Sequence, residues 1–294
     1  MRTTRIFAAV LLAVAAVLVG VSGPAAASPT NVVTADSGAA TSVALKSATA
    51  RCPVGTRVYG GGGDIVGGGH QVALTGLVPA FGVKTGQDTY TATAEEINGD
   101  YPSTWSVYAY AICGPQLPGM TIASGRVAYS SGDRVVSSST CPASAMPVGL
   151  GAAVSPAAGT MVLNESLGNY TRNAFGTLFG WSAAIAFVTE SGHVPAGVGL
   201  TSYAVCATLS TAPAYVFADS VYDTTATKTV NATCPTGRTY GVGGYLSYAT
   251  GQLYFDSMVP SGASWDQAAV DGRADQSGFT DGPWWATSEA ICAP

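Results

Sequence analysis

Two histidines are all the imidazole this chain offers. His70 ends the run Gly67-Gly-Gly-His70, and His193 lies in Ser191-Gly-His-Val-Pro195. Both read as solvent-facing loop residues. No Gly-x-Ser-x-Gly elbow is present, so the common exported Ser-His-Asp hydrolase pattern has no support. Carboxylates are the next chemistry to consider. Glu95 and Glu96 with Asp100, and Asp256, Asp266 and Asp271, are of the type that serves a two-carboxylate hydrolase. They do not recur in the internal copies described below and read as solvated acids on strand ends and loops. The loop from Asp271 through Asp275 to Asp281 is rich in calcium-type oxygen ligands, but its spacing fits no EF-hand. The glycine runs Gly60–Gly63 and Gly67–Gly69 lack the Lys-Ser/Thr of a P-loop. They read as close strand packing, a bulge or a tight bend. No catalytic, metal or cofactor site is expected.

The six cysteines set the organisation. Cys52-Pro53 opens a segment that closes at Ala111-Ile112-Cys113; Cys141-Pro142 opens a second that closes at Ala204-Val205-Cys206; Cys234-Pro235 opens a third that closes at Ala290-Ile291-Cys292. The chain therefore carries one pattern three times, and repetition fixes architecture before any local reading. A zinc site is not expected, because no Cys-x-x-Cys pair exists. Six cysteines allow fifteen disulfide pairings. Repeat logic joins each opening cysteine to its own closing one and predicts Cys52–Cys113, Cys141–Cys206 and Cys234–Cys292.

Each Cys-Pro follows a polar, β-branched leader, and short strands follow it. A glycine-rich strand is expected at Val58–Gly63, Val148–Gly151 and Tyr240–Gly244. An alternating strand follows at Gln71–Leu77, Thr160–Leu163 and Gln252–Met258, with Pro79 and Pro260 as stops. A third begins near Tyr90, Trp181 or Trp265. The last strand runs into the closing cysteine. Stepping back by twos from Cys113 gives Ala111, Ala109, Val107 and Trp105, an apolar face that belongs in a core. No stretch after the first residues shows helical periodicity. The opposite face of the last strands carries Tyr108, Tyr110, Tyr203 and Trp285. Rings on a sheet can stack on sugars or centre a protein contact; alternatively, a second sheet covers them.

Residues 1–27 read as an export signal. Arg2 and Arg5 precede an apolar run from Ile6 to about Val21, and Ala25-Ala26-Ala27 offers small residues for cleavage. Loss of both arginines takes the formal charge from −5 to −7. Nucleic acid is not an expected partner of an acidic, charge-poor surface, and neither is an anionic membrane. No membrane span is expected once the signal is removed. The remaining residues divide into units 28–116, 117–210 and 211–294.

Cys52-Pro-Val-Gly-Thr-Arg-Val-Tyr-Gly-Gly-Gly-Gly and Trp105-Ser-Val-Tyr-Ala-Tyr-Ala-Ile-Cys113 resemble a repeat of secreted actinobacterial proteins. The resemblance covers nearly all of residues 28–294 as three copies. The second copy departs most, with Ser144 for the turn glycine, Gly168 for the proline and Val198 for the tryptophan. The resemblance implies location and architecture and brings no particular activity.

The expected fold is all-β, with three disulfide-closed units arranged as tandem β-sandwich-like domains or as a single pseudo-threefold β-prism. The expected function is that of a secreted, extracellular, non-catalytic binding or cell-envelope protein with polysaccharide as the leading ligand class. The rivals are a structural or protein-interaction module, such as an inhibitor, and a carboxylate-dependent hydrolase.

Overall fold

The computed structural model describes residues 27–82, 86–97, 101–156, 159–172, 178–189, 192–247, 251–275 and 282–294. Nearly all of the expected signal segment, Asp100 and Asp281 lie outside them. The described residues form eighteen β-strands, six in each unit. Unit 1 has β1 (Asn31–Asp36), β2 (Leu45–Arg51), β3 (Arg57–Val66), β4 (Val72–Ala80), β5 (Thr89–Glu96) and β6 (Ser106–Gly114). Unit 2 has β7 (Thr121–Ala128), β8 (Arg134–Thr140), β9 (Met146–Ser155), β10 (Met161–Arg172), β11 (Leu178–Val188) and β12 (Gly199–Ala207). Unit 3 has β13 (Ala214–Asp219), β14 (Thr227–Thr233), β15 (Thr239–Leu246), β16 (Leu253–Ser261), β17 (Gln267–Ala274) and β18 (Ala286–Cys292). No helix among the described residues is long and apolar enough to cross a membrane.

Within a unit the expected sandwich is present. In unit 1, β1, β6 and β3 form one half and β2, β5 and β4 the other. Trp105, Val107, Ala109, Ala111 and Cys113 point between the halves and are fully buried. Small side chains on this face let the halves approach, and the large Trp105 fills the open end. The disulfides Cys52–Cys113, Cys141–Cys206 and Cys234–Cys292 each tie one half-sheet to the other.

Each half-sheet continues into a neighbouring unit, which makes the assembly the closed pseudo-threefold one. The first sheet runs β1-β6-β3-β16-β17-β14, the second β13-β18-β15-β10-β11-β8, and the third β2-β5-β4-β9-β12-β7. All neighbouring strands are antiparallel. The seams between units are short and equivalent. Asp64 and Gly63 pair with Ser257 and Met258, Tyr245 and Gly244 with Glu165 and Ser166, and Ala153 and Ala152 with Gly76 and Leu77.

Glycines make this closure possible. A Cβ on Gly149 would stand 1.8 Å from the Tyr59 carbonyl oxygen and 2.7 Å from Gly60 Cα. One on Gly60 would stand 2.9 Å from Gly241 Cα, and one on Gly241 would stand 2.8 Å from Gly149 Cα. The three equivalent glycines therefore meet around one axis, where only backbone fits. The expected stops at Pro79 and Pro260 are the penultimate residues of β4 and β16, which end one residue later at Ala80 and Ser261. Pro79 pairs with Tyr90 and Pro260 with Ala268. The ladder beyond Gly76 and Leu77 on the β9 side has already lapsed, so a missing N–H at Pro79 costs no bond there.

Candidate functional site

A bulge marks the same place beside each seam. The inserted residue is Thr75 in β4, Asn164 in β10 and Asp256 in β16. Bulges re-aim a side chain and occur beside functional sites. All three of these residues are buried. Each has a cross-strand neighbour at the same relative position, namely Glu95, Phe187 and Arg273, registered with Ala73, Val162 and Tyr254.

In two of the three sheets that neighbour satisfies the bulged side chain. Thr75 donates its hydroxyl to Glu95 at 2.8 Å, and Arg273 pairs with Asp256 at 2.7 Å. In the second sheet the neighbour is Phe187, which has nothing to offer. The Asn164 side-chain amide donates to the Leu253 carbonyl, but its Oδ1 has no hydrogen-bond partner. Asn164 is 1% exposed. A buried acceptor left in this state carries a desolvation cost unless something else occupies it.

Asn164 lines a cleft of about 290 Å³ on the outward side of the second sheet, together with Arg134, Glu165, Ile185, Phe187, Tyr245, Ser247 and Trp285. Strands β8, β10, β11 and β15 supply six of these residues, while Ser247 directly follows β15 and Trp285 directly precedes β18. The Trp285 amide donates to Ser247 Oγ at 2.8 Å, holding that residue at the mouth. Its ring meets Tyr222 edge-on at 5.4 Å, and Tyr222 is half exposed. Arg134 lies over Phe187 at 6.0 Å. Burial raises the Glu165 carboxyl above its ordinary range. An apolar, aromatic cleft with a few fixed polar groups is the usual form of a small-ligand site.

Of the four aromatics singled out in the sequence, Trp285 belongs to this cleft. Tyr108 and Tyr110 lie together on the first sheet, opposite Asp64 and Gly62. Tyr203 lies on the third, opposite Gly151. All four are partly exposed, so no second sheet seals them, but the threefold arrangement distributes them over three faces.

Several of the acids depart from the expectation of solvated side chains, although Asp266 and Asp271 are partly exposed. Glu95, Glu96, Asp256 and Asp275 are buried. Glu96 accepts from Trp105 Nε1 and from the Tyr101 amide, each at 3.0 Å. Burial pushes the Asp256 carboxyl up to about 7; the nearby Asp64 and Asp271 add to this, and Arg273 opposes it. Glu289, fully buried on β18, is raised well above the carboxylate range by burial, although the Gly168 amide donates to it. His193 is exposed, whereas the His70 ring places Nδ1 2.8 Å from the Ala274 carbonyl of unit 3 and so belongs to a contact between units. Among the described residues, no group of three or more His, Cys, Asp or Glu side chains is placed to hold a metal.

Asn164, Arg134, Phe187 and Tyr245 were not singled out in the sequence. The signal that could have found them is the mismatch between copies. Asn164 and Phe187 occupy the positions of a hydrogen-bonded pair in each of the other two units. No protein-family model matches the chain, and a search of curated proteins finds no match.

Proposed function

We propose that this protein is a secreted, non-catalytic binding protein whose cleft on the second sheet takes a segment of extracellular polysaccharide. The observation that carries this reading is the cleft itself, where Trp285 and Tyr245 lie beside Arg134 and Glu165. A sugar chain presents apolar ring faces and hydrogen-bond donors together. Trp285 and Tyr245 supply surfaces for the former, and Glu165 and Arg134 supply partners for the latter. Tyr222 extends the aromatic surface beyond Trp285, which suits a chain longer than the cleft. Export rests on the signal-like residues 1–27, and the likeness to secreted actinobacterial repeats points the same way.

The test is retention on insoluble polysaccharides: cellulose, chitin and purified peptidoglycan sacculi. The wild-type protein is expected to be retained on at least one. Trp285→Ala should lose that retention about tenfold or more, in keeping with loss of a stacking aromatic anchor. Tyr110→Ala, on another sheet, should leave it unchanged. Equal loss in both variants, or retention on none of the three, removes the reading.

A further inference from the structure

Apart from that cleft and independent of it, a second pocket of about 260 Å³ opens in unit 1, beside the turn that follows Cys52. We infer that this pocket is a carboxylate-binding site, with the Arg57 guanidinium as its recognition group and a small organic acid as its ligand. Arg57 is the first residue of β3, and Phe81 and Gly82 directly follow β4. The guanidinium is held on two sides. Its Nε donates to Asp88 Oδ2 at 2.7 Å, and its central carbon lies 4.1 Å from the centre of the Phe81 ring. Asp88 is itself fixed. Its side chain is 6% exposed, Oδ2 also accepts from the Val58 amide, and Oδ1 accepts from the Gly82 amide, each at 3.0 Å. The Arg57 side chain keeps 28% of its exposure, and among the described residues nothing accepts from Nη1 or Nη2. The end of a planar donor fork therefore borders the pocket, and its ordering precedes any ligand.

Two parallel donors are matched by two parallel acceptors that bring no donor in return. A carboxylate has that pattern, and charge makes each bond roughly twice as strong as a neutral one. A hydroxyl fits less well. It brings one oxygen and its own proton, and both Asp88 oxygens that could take the proton are engaged. A phosphate brings further charged oxygens, whereas Arg57 is the only cationic side chain lining the pocket among the described residues. Gln116, exposed at the rim, can serve the polar remainder of the ligand. Pseudosymmetry gives a built-in contrast. Arg238 of unit 3 lies opposite Ala293 as Arg57 lies opposite Gly114. Its Nη1 donates to the Pro29 and Thr30 carbonyls, at 3.3 and 3.2 Å, so the equivalent fork already holds two oxygens of the chain. Unit 2 has Met146 opposite Ala207, with no donor on its side chain. Only unit 1 has the fork and leaves its oxygen partners to a ligand.

The experiment follows the backbone amide resonances of the full mature protein by NMR, near neutral pH, as glucuronate or N-acetyl-alanyl-alanine is added. These are carboxylates from two sources, a sugar acid and a peptide terminus. Saturable shifts of the Gly82 and Gly86 amides are expected with at least one of them, and the tighter binder identifies the source. Glucose and the carboxamide of the same dipeptide keep the size and lack the charge, and should leave those resonances in place. Arg57→Lys keeps a cation and removes the fork, so it should weaken binding about tenfold or more, with the resonances of units 2 and 3 reporting that the fold is retained. The comparison with neutral analogues uses the wild-type protein alone and stands whatever the stability of that variant. Equal shifts from the neutral analogues, no shift from either acid, or undiminished binding by a folded Arg57→Lys would each overturn the assignment. Tighter binding of inorganic phosphate than of both acids would overturn it in favour of a general oxyanion site.

Discussion

The ammonium of Lys46 stands 4.1 Å from the centre of the Trp105 ring, at the mouth of the unit 1 sandwich. It also donates to the carbonyls of Thr41, at 2.6 Å, and of Trp105 itself. Unit 3 repeats the lysine–ring contact, with Lys228 at 5.3 Å from the Trp284 ring, but there the ammonium pairs with the Asp223 carboxylate and donates to Thr225 Oγ1. Unit 2 has Val135 and Val198 at the equivalent positions, both buried. Lysine and tryptophan therefore occur together or are absent together. The ring face and two carbonyls compensate a charge that burial would otherwise expel.

From this pairing, Lys46→Met is expected to destabilise the protein by about 1 kcal/mol, because the Trp105 ring loses its cation and the Thr41 and Trp105 carbonyls each lose one of two donors, keeping the backbone N–H they exchange. The shift of the urea midpoint measures it. The double change Lys46→Val with Trp105→Val should cost about 1 kcal/mol less than the sum of the single changes. Strict additivity would show that ring and ammonium do not cooperate.

The axis glycines lead to a second prediction. Gly149→Ala places a methyl 1.8 Å from the Tyr59 carbonyl oxygen, and backbone on all sides prevents a side-chain escape. The expected cost is about 3 kcal/mol or more, the upper range for overpacking. Loss should be felt in all three units at once, since Gly60 and Gly241 share the contact. A variant with an unshifted denaturation midpoint would contradict the close approach described here.

Much of the fold was legible because its signals are local. Strand alternation placed Trp105, Val107 and Ala109 in the core, and the Cys-Pro openings gave the three disulfides without any knowledge of pairing. The inter-unit sheets were not legible. Each seam consists of two residue pairs, such as Asp64 with Ser257, and nothing in either strand's composition names its partner. The same reason hid most of the site. Trp285 stood out as an aromatic on an outward face, whereas Arg134, Asn164, Phe187 and Tyr245 come from four strands whose adjacency exists only after long-range pairing. Glu95 and Asp256 misled because an acid near a strand end usually meets water. Here the bulges at Thr75 and Asp256 turn these positions into buried pairs.

Shared sheets also decide how the protein should unfold. Removing the unit 2 bridge by Cys141→Ala with Cys206→Ala opens a loop of 65 residues, for an expected loss of about 4 kcal/mol by the loop-entropy relation. Unit 2 supplies three strands to the second sheet and three to the third, so its loss exposes strand edges in both neighbours. The variant should therefore melt in one transition at a lower temperature. Two resolved calorimetric peaks, one of them unshifted, would indicate units that stand alone.

Stability should be greater in mild acid than in mild base. The Asp256 carboxyl lies at about 7 in the folded protein, chiefly through burial, against about 4 for an unfolded aspartate. Below about pH 4 both states hold the proton, and this group imposes no penalty. Between about pH 4 and 7 the unfolded chain releases it while the folded protein retains it, so ionisation favours unfolding and stability falls as pH rises. Above about 7 both states are ionised and the loss is complete, reaching roughly 4 kcal/mol if the shift acts in full. Asp64, Glu165 and Glu289 are also raised by burial, so their contributions have the same sign. Asp223 shifts the opposite way, down to about 2 through its hydrogen bond from Lys228, but its effect is confined to pH below about 4. Melting temperature is thus expected to rise from pH 8 to pH 5, and Asp256→Asn should flatten that slope. The asparagine keeps the size of the side chain and removes its titration, so an unchanged slope in this variant would place the pH dependence elsewhere.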